Sequence, residues 1–240
     1  MPIRMIDLPT SKKRTKNEKE KFEKKLSDFS VRPISYGTAM DSVIKNHYLH
    51  RKCSCVEAFG LFDGEKTSYD FFDTGNLVGV IVFGKPSSFT LCNGICGKDE
   101  SKNVIEFNRM WVSENMPKNT ESFFIGKAIK MCSFDIIVSF ADIEQGHTGY
   151  IYQATNWLYT GISPKMKYFR LKKSSCTGGP KYRRRERMTK EKIINDFGEN
   201  MIEEYFSSPK HRYIYFNCDK RRKEHLLKKL RYRILPYPKA

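Results

Sequence analysis

The sequence lacks the features of membrane, secreted and several nucleotide-binding proteins. No apolar run approaches the ~18 residues of a membrane-spanning helix. The charged stretch from Lys12 to Lys25 contains no apolar signal segment. A GxGxxG loop and a D/N-PP-Y/F motif are absent, and Gly126-Lys127 has no upstream glycine of a P-loop. We therefore exclude a membrane span, an S-adenosylmethionine methyltransferase and a P-loop enzyme.

Cysteine is present, but not in a metal-binding pattern. The chain has seven cysteines, an odd number for a disulfide framework, and no secretory signal precedes them. Cys53-x-Cys55 and Cys92-x3-Cys96 lack the paired CxxC spacing of a zinc site, and the HxE…PCxxC pattern of zinc deaminases is missing. These observations predict a cytoplasmic protein with reduced thiols and no zinc ion.

The charge of the chain is uneven. Lys and Arg number 44 against 27 acids, for a net charge of +17. Residues 31–172 hold 16 basic and 14 acidic residues, whereas residues 173–240 hold 19 and 8. A single basic region predicts a nucleic acid partner, because cations facing phosphates release condensed counterions. The candidate phosphate-binding residues are Lys181, Arg183, Arg184, Arg185 and Arg187, then Lys220, Arg221, Arg222 and Lys223. The alternative is that both groups are solvated helix faces.

The order of predicted elements indicates an α/β fold. We expect a basic arm over residues 1–30, a core over 31–172 and a basic C-terminal extension over 173–240 that packs on the core and contacts the nucleic acid. Strands cluster early and helical crossovers follow, which predicts a mixed central sheet with helices on its faces. The main predicted elements are a helix capped by Thr38 or Asp41, a helix starting at Asn119 or Thr120, and strands at Cys55–Phe62, Leu77–Phe83, Val104–Val112 and Asp135–Ala141.

Two segments make this order resemble the GNAT acetyltransferase fold. In that family, the helix after the fourth strand binds the coenzyme A pyrophosphate at its N-terminus. The resemblance places that role on Lys118, Asn119, Thr120 and Ser122, although the family's glycine-rich Q/RxxGxG/A loop is absent. The segment Tyr150-Ile-Tyr-Gln-Ala-Thr-Asn-Trp resembles the family's later helix, whose tyrosine donates a proton to the departing thiolate. Tyr152 occupies that place; the alternative is a packing residue with a bonded hydroxyl.

Four motifs and two C-terminal segments together resemble the Mom family of phage DNA-modification proteins, over about residues 35–240. The motifs are Glu106-Phe-Asn-Arg-Met-Trp-Val, Pro117-Lys-Asn-Thr-Glu-Ser-Phe-Phe, Ser139-Phe-Ala-Asp-Ile-Glu-Gln-Gly-His and Ile151-Tyr-Gln-Ala-Thr-Asn-Trp-Leu-Tyr-Thr-Gly. The C-terminal segments are Lys210-His-Arg-Tyr-Ile-Tyr-Phe and Leu235-Pro-Tyr-Pro. This resemblance implies an enzyme that converts adenine N6 to a carbamoylmethyl amine and so protects phage DNA from host restriction. It also implies acetyl-CoA as the two-carbon source, an iron ion, and a location in the cytoplasm of the infected bacterium. An enzyme that reaches N6 has to flip the adenine out or act on single strands.

The remaining candidates follow from this implied chemistry. His47 and Tyr48 end the first helix and, with Asp142 beyond a strand end, are candidate catalytic residues and metal ligands. The alternatives are a surface histidine, a base-stacking tyrosine and a helix-capping aspartate. Arg109 either positions coenzyme A or substrate, or forms a salt bridge with Glu106 or Asp142. We keep His147 as a reserve ligand.

Two other functions stay open at this stage. An ordinary N-acyltransferase could use the same cleft on a protein, an RNA or a small amine. A basic DNA-binding protein with a degenerate acetyltransferase core would bind DNA without modifying it. The amine donor, the target sequence and the oligomeric state are not determined by the sequence, and a homodimer is one option.

Overall fold

A computed structural model describes residues 25–64, 75–172 and 189–239 of the chain. The predicted α/β class is confirmed, since helices and strands alternate along the described chain. The α-helices in these ranges are α1 Tyr36–Asn46, α2 Phe89–Cys96, α3 Thr120–Met131, α4 Tyr150–Ala154, α5 Lys190–Phe197 and α6 Lys220–Lys229. The strands of the described residues are β1 Phe29–Pro33, β2 Glu57–Asp63, β3 Asn76–Gly84, β4 Val104–Val112, β5 Ile136–Asp142, β6 Leu158–Ile162, β7 Lys167–Leu171, β8 Ile202–Phe206 and β9 Lys210–Phe216.

The described residues form two compact units. The first comprises the chain up to Phe89 together with Asn103–Asp135, and the second comprises Thr90–Lys102 and the chain from Ile136 onward. The second unit therefore draws strands both from the predicted core and from the predicted C-terminal extension. The predicted contact between the extension and DNA stays a prediction.

Antiparallel pairing organises the first unit. Its strands lie in the order β1-β2-β3-β4, with registers that pair Val31 with Leu61 and Val80 with Trp111. Strands β2 and β3 are buried over most of their length, because each reads as a nearly continuous apolar run. Strand β1 begins at Phe29, inside the segment that the sequence predicted to be an arm.

Helix α1 begins earlier than the sequence predicted. Ser35 is its N-cap, and the Ser35 side chain accepts a hydrogen bond from the Thr38 N–H at 3.1 Å. Neither Thr38 nor Asp41 is therefore the cap. The buried face of the helix, formed by Ala39, Met40 and Val43, packs on a cluster that includes Ala58, Val80 and Val82. This packing fixes the end of α1, where His47 follows.

The described part of the second unit contains a group of three paired strands and a separate strand pair. Strand β9 pairs antiparallel with β5 on one side and with β6 on the other, and β7 pairs antiparallel with β8. Residues beyond α6 lie along β6: the Leu235 N–H donates to the Tyr159 carbonyl at 2.9 Å, and the Tyr237 hydroxyl donates to the Trp157 carbonyl at 2.8 Å. Within the described ranges, no helix combines the length and the apolar character that a bilayer crossing requires.

Candidate functional site

The start of α3 lies where the sequence predicted a helix N-terminus. Asn119 is the N-cap in a left-handed conformation with φ 68°, and its side chain makes no capping hydrogen bond. The Thr120 hydroxyl is buried and donates backward to the Pro117 carbonyl at 2.7 Å. Lys118 is exposed beside this turn. A helix N-terminus without a side-chain cap, next to a lysine, offers N–H donors and positive potential to an anion.

His47 closes α1 and is nearly buried, with 8% of its surface exposed. Burial, followed by the positive charge of Arg109, lowers the pKa of His47 to about 4, so the ring is neutral at pH 7. The Leu49 N–H donates to Nδ1 of His47 at 3.1 Å, which leaves the ring proton on Nε2. The half-exposed Tyr48 ring stacks on His47 with a centroid distance of 4.3 Å.

Arg109 lies on β4, where it pairs in register with Val82. Its Nη1 donates to the Asn108 carbonyl at 2.6 Å, and its Nε is buried with no hydrogen-bond partner in the described part of the chain. Within the first unit, Arg109 acts electrostatically on His47 and on Cys53. The salt bridge to Glu106 that the sequence offered as an alternative does not form. Arg109 is thus a partly buried cation whose Nε–H makes no hydrogen bond to the described residues.

Asp142, in the second unit, has its carboxylate engaged by neighbouring groups. It accepts hydrogen bonds from Ser208 at 2.8 Å and from the Glu144 N–H at 3.2 Å, and it pairs with Lys210 at 3.0 Å. Burial raises the pKa of Asp142, but the Ser208 and Lys210 contacts outweigh it and the pKa is lowered overall. This geometry matches the capping alternative for Asp142, because the residue caps the short 3-10 helix Ile143–Gln145.

Tyr152 lies on α4 among aromatic side chains of the same unit. Its ring is 5.0 Å from Trp157 and 5.1 Å from Tyr213, measured between centroids. The Ser139 hydroxyl donates to the Tyr152 hydroxyl at 2.8 Å. The structure therefore contains the bonded hydroxyl of the packing alternative, and it also fixes the position from which a proton donor would act.

The structure describes the second predicted basic patch but not the first. Lys181, Arg183, Arg184, Arg185 and Arg187 lie outside the described residues. On α6, Lys220 and Arg221 are exposed as expected. Arg222 instead grips the buried Glu100 with both guanidinium arms, at 2.9 and 2.5 Å, so its prediction as a phosphate-binding residue is at odds with its contacts. Lys229 also reaches Glu100, at 3.1 Å.

The predicted metal ligands do not fit an iron site in the described chain. No group of three His, Cys, Asp or Glu side chains in residues 25–64, 75–172 and 189–239 is arranged to hold a metal ion. Nδ1 of His47 is occupied by the Leu49 N–H, and the carboxylate of Asp142 serves Ser208 and Lys210. The reserve ligand His147 is exposed at the end of the 3-10 turn. The predicted iron therefore has no support here.

Sequence reasoning missed several residues that shape these sites. Ser139 was a detectable case, since a lone hydroxyl in the apolar run of β5 needs a buried partner. Glu100, Ser208 and Lys210 gave no local signal, because their partners are remote in sequence or lie in loops.

Two of the solved structures that are similar to this chain are acetyltransferases. The spermidine/spermine N-acetyltransferase SpeG of Vibrio cholerae aligns with a TM-score of 0.41 at 10% identity, covering 80% of this chain and 94% of its own. A GNAT-family acetyltransferase of Bacillus cereus aligns with a TM-score of 0.39 at 9% identity, covering 80% and 99%.

The sequence matches the Mom protein family over residues 28–239, and the chain belongs to that family. A curated relative, the methylcarbamoylase Mom of Escherichia phage Mu, is 30% identical over 123 residues. Those residues make up 49% of this chain and 44% of the relative, so the match spans less than half of the relative's length.

Proposed function

We propose that this chain is a transferase that converts adenine in DNA to N6-carbamoylmethyladenine, with acetyl-CoA as the two-carbon source, and so protects phage DNA from restriction. The observation that carries the proposal is the family match, which runs from residue 28 to residue 239 and includes both units. The name of the phage Mu relative, a methylcarbamoylase, supports the same reaction class.

The start of α3 supports coenzyme A as the carrier. Asn119 gives no side-chain hydrogen bond to the first turn, so the helix N-terminus keeps its capacity for an anion. Lys118 adds an exposed positive charge, and the buried Thr120 hydroxyl ties the turn to Pro117. In the proposal, the pyrophosphate binds at this turn, with Ser122 in reach of the same anion.

Arg109 and His47 support a polarising role in the first unit. Arg109 supplies a partly buried cation whose Nε has no protein partner in the described chain. His47 is neutral and carries its single ring N–H at Nε2. Two donors of this kind stabilise negative charge that develops on a carbonyl oxygen. The exposed Tyr48 ring, supported by His47, offers a stacking surface to a flipped adenine.

The second unit supplies the remaining roles. In the proposal, Tyr152 donates its proton to the departing thiolate of coenzyme A. The exposed cations of α6, Lys220 and Arg221 with Lys223, contact DNA phosphates without reading sequence. Arg222 is excluded from this set because Glu100 engages it.

The atom and electron balance of the proposed reaction determines which co-reactants it needs. Attack of N6 at the thioester carbonyl would give N6-acetyladenine, whereas the proposed product is joined through the methyl carbon. Reaching that product from acetyl-CoA, adenine and an ammonia equivalent releases coenzyme A and two hydrogens. An amine donor and a two-electron acceptor are therefore part of the proposal.

The test is co-expression of the chain with a plasmid in bacteria, followed by mass spectrometry of the digested nucleosides. Feeding doubly ¹³C-labelled acetate checks the carbon source, because both labelled carbons should enter the adenine adduct. The expected product is carbamoylmethylated adenosine, together with resistance of the plasmid to adenine-sensitive restriction enzymes. Tyr152→Phe is the matched inactive control.

Each other outcome identifies a competing function. Acetylated adenosine, or acetylation of another macromolecule, would indicate an ordinary N-acyltransferase. Unchanged nucleosides from folded protein that retains DNA affinity would indicate a binding protein. Either result would overturn the proposed reaction.

A further inference from the structure

We propose that Ser139 is a positioning residue that fixes the hydroxyl of Tyr152 for proton donation. This inference rests on the proposed function, in which Tyr152 protonates the thiolate of coenzyme A. Ser139 itself touches neither cofactor nor DNA in the proposal and acts through the tyrosine.

The strand register accounts for the position of Ser139. Ser139 of β5 is paired with Tyr213 of β9, and Tyr213 is paired in turn with Tyr159 of β6. Directly paired residues of an antiparallel sheet project to the same face, so these three side chains form one row. Tyr152 of α4 packs over that row and contacts both Ser139 and Tyr213.

Tyr152 is consequently held at two points. Its ring lies between Trp157 and Tyr213, while its hydroxyl accepts from Ser139, which is only 1% exposed. The turn before α4 depends on Gly149, whose φ is 79° and where a Cβ would approach the Tyr213 ring to 2.4 Å. The ring packing sets where the phenol lies, and the serine sets how its oxygen is hydrogen-bonded.

The direction of the Ser139 hydrogen bond suits an acid. Because Ser139 donates, the phenol oxygen accepts from it, and this hydrogen bond does not consume the phenol's own proton. When that proton passes to the coenzyme A thiolate, the S–H bond forms, the phenol O–H bond breaks, and the charge moves to the phenolate. The Ser139 donor then stabilises the phenolate until solvent returns a proton. A buried serine that served packing alone would have no such effect.

The experiment is a double-mutant cycle, in which Ser139→Thr also tests whether another hydroxyl at this position restores the rate. Full-length wild type, Ser139→Ala, Ser139→Thr, Tyr152→Phe and the Ser139→Ala/Tyr152→Phe double variant are co-expressed with a plasmid. The rate of appearance of modified adenosine is normalised to the level of folded protein. We expect Tyr152→Phe to lose about 100-fold or more, since general acids contribute on that order. We expect Ser139→Ala to lose about tenfold, from one hydrogen bond to a charged group, and Ser139→Thr to recover most of the rate.

The cycle distinguishes positioning from stability. In the Tyr152→Phe background, Ser139→Ala should cost nothing further, because no hydroxyl remains to be positioned. Ser207→Ala is the matched control, since it removes a serine hydrogen bond to the Met166 N–H within the same unit and away from Tyr152. A wild-type rate in Ser139→Ala, or a further tenfold loss in the double variant, would overturn the inference.

A second readout is independent of enzymatic activity. In purified protein with ¹³Cζ-labelled tyrosine, the Tyr152 signal is identified by its loss in Tyr152→Phe. That signal should shift in Ser139→Ala and return in Ser139→Thr; an unchanged signal would refute the contact. If wild type gave no modified nucleoside while this shift occurred, the proposed function would fail, and the positioning role with it, although the hydrogen bond would stand.

Discussion

The two units differ in how far other protein groups engage their candidate polar groups. In the first, candidate groups keep bonding capacity: the buried Nε of Arg109 lacks a hydrogen-bond partner in the described chain, and α3 begins without a side-chain cap. In the second, the two carboxylates considered are engaged: Glu100 is enclosed by Arg222 and Lys229, and Asp142 binds Ser208 and Lys210. A polar group with spare capacity costs folding free energy unless a ligand completes it. We therefore expect the first unit to bind coenzyme A and polarise the carbonyl, and the engaged carboxylates to give the second unit rigid support.

The largest effect should follow from opening the cluster around Glu100. Glu100→Gln leaves the cations of Arg222 and Lys229 without their buried acid, and we expect a loss of about 3 kcal/mol in the free energy of unfolding. Urea denaturation measures it. The exposed Glu224→Gln on α6 is the control and should change stability by less than about 0.5 kcal/mol. If both variants were equally stable, the second unit would not be the rigid framework described.

In contrast to the Glu100 replacement, replacement of Arg109 should lower activity without lowering the free energy of unfolding. Arg109→Met keeps most of the side-chain volume and removes a partly buried cation that has no acidic partner among the described residues, so the free energy of unfolding should stay constant or rise. Adenine modification should fall about 100-fold, because a donor aimed at developing charge is lost. Arg51→Met, at a nearby exposed arginine, is the control and should keep its activity. A large loss of stability in Arg109→Met would show that the cation is structural.

A smaller effect is the loss of stability at acidic pH that follows from the lowered pKa of His47. The pKa of His47 is about 4 in the folded chain and about 6.5 in the unfolded chain, so the unfolded state binds the proton more readily. The contribution of neutral His47 to stability is complete above pH 6.5 and is lost as the pH falls toward 4. Between pH 7 and pH 5 this amounts to about 2 kcal/mol. His47→Gln should lack that part of the pH dependence, measured by chemical denaturation, whereas exposed His147→Gln should keep it.

Much of the fold could be predicted from local patterns. The bounds of β4 and the start of α3 agree with the sequence prediction, because an apolar strand and a Pro-Lys-Asn-Thr turn are local signals. Strand β1 was missed since Arg32 and Pro33 interrupt its apolar pattern. The structure accommodates that arginine by stacking it on Phe62, at 3.5 Å from the ring centroid. A contact of this kind depends on strand pairing, which the local sequence does not encode.

The candidate site was less predictable than the fold. Tyr152 and the α3 turn were accessible through family resemblance, and their local geometry agrees with the expected elements. The engagement of Arg222 was not accessible, because Glu100 lies 122 positions away in the sequence. A basic run predicts positive charge, but only the packing of α6 determines which of its cations remain exposed.

The smallest effect should arise at Asp142 and bears on the metal prediction. Asp142 caps a 3-10 turn and forms a partly exposed ion pair with Lys210, so Asp142→Ala should cost about 1 kcal/mol of stability. Asp142→Asn keeps the cap and should cost less. If the carboxylate only supports the turn, both variants should modify adenine at near the wild-type rate in the plasmid assay. Loss of modification in both variants, with the fold intact by circular dichroism, would instead restore Asp142 as a ligand or catalytic group. Asp142 would then join Tyr152 among the groups of the second unit that take part in the proposed chemistry.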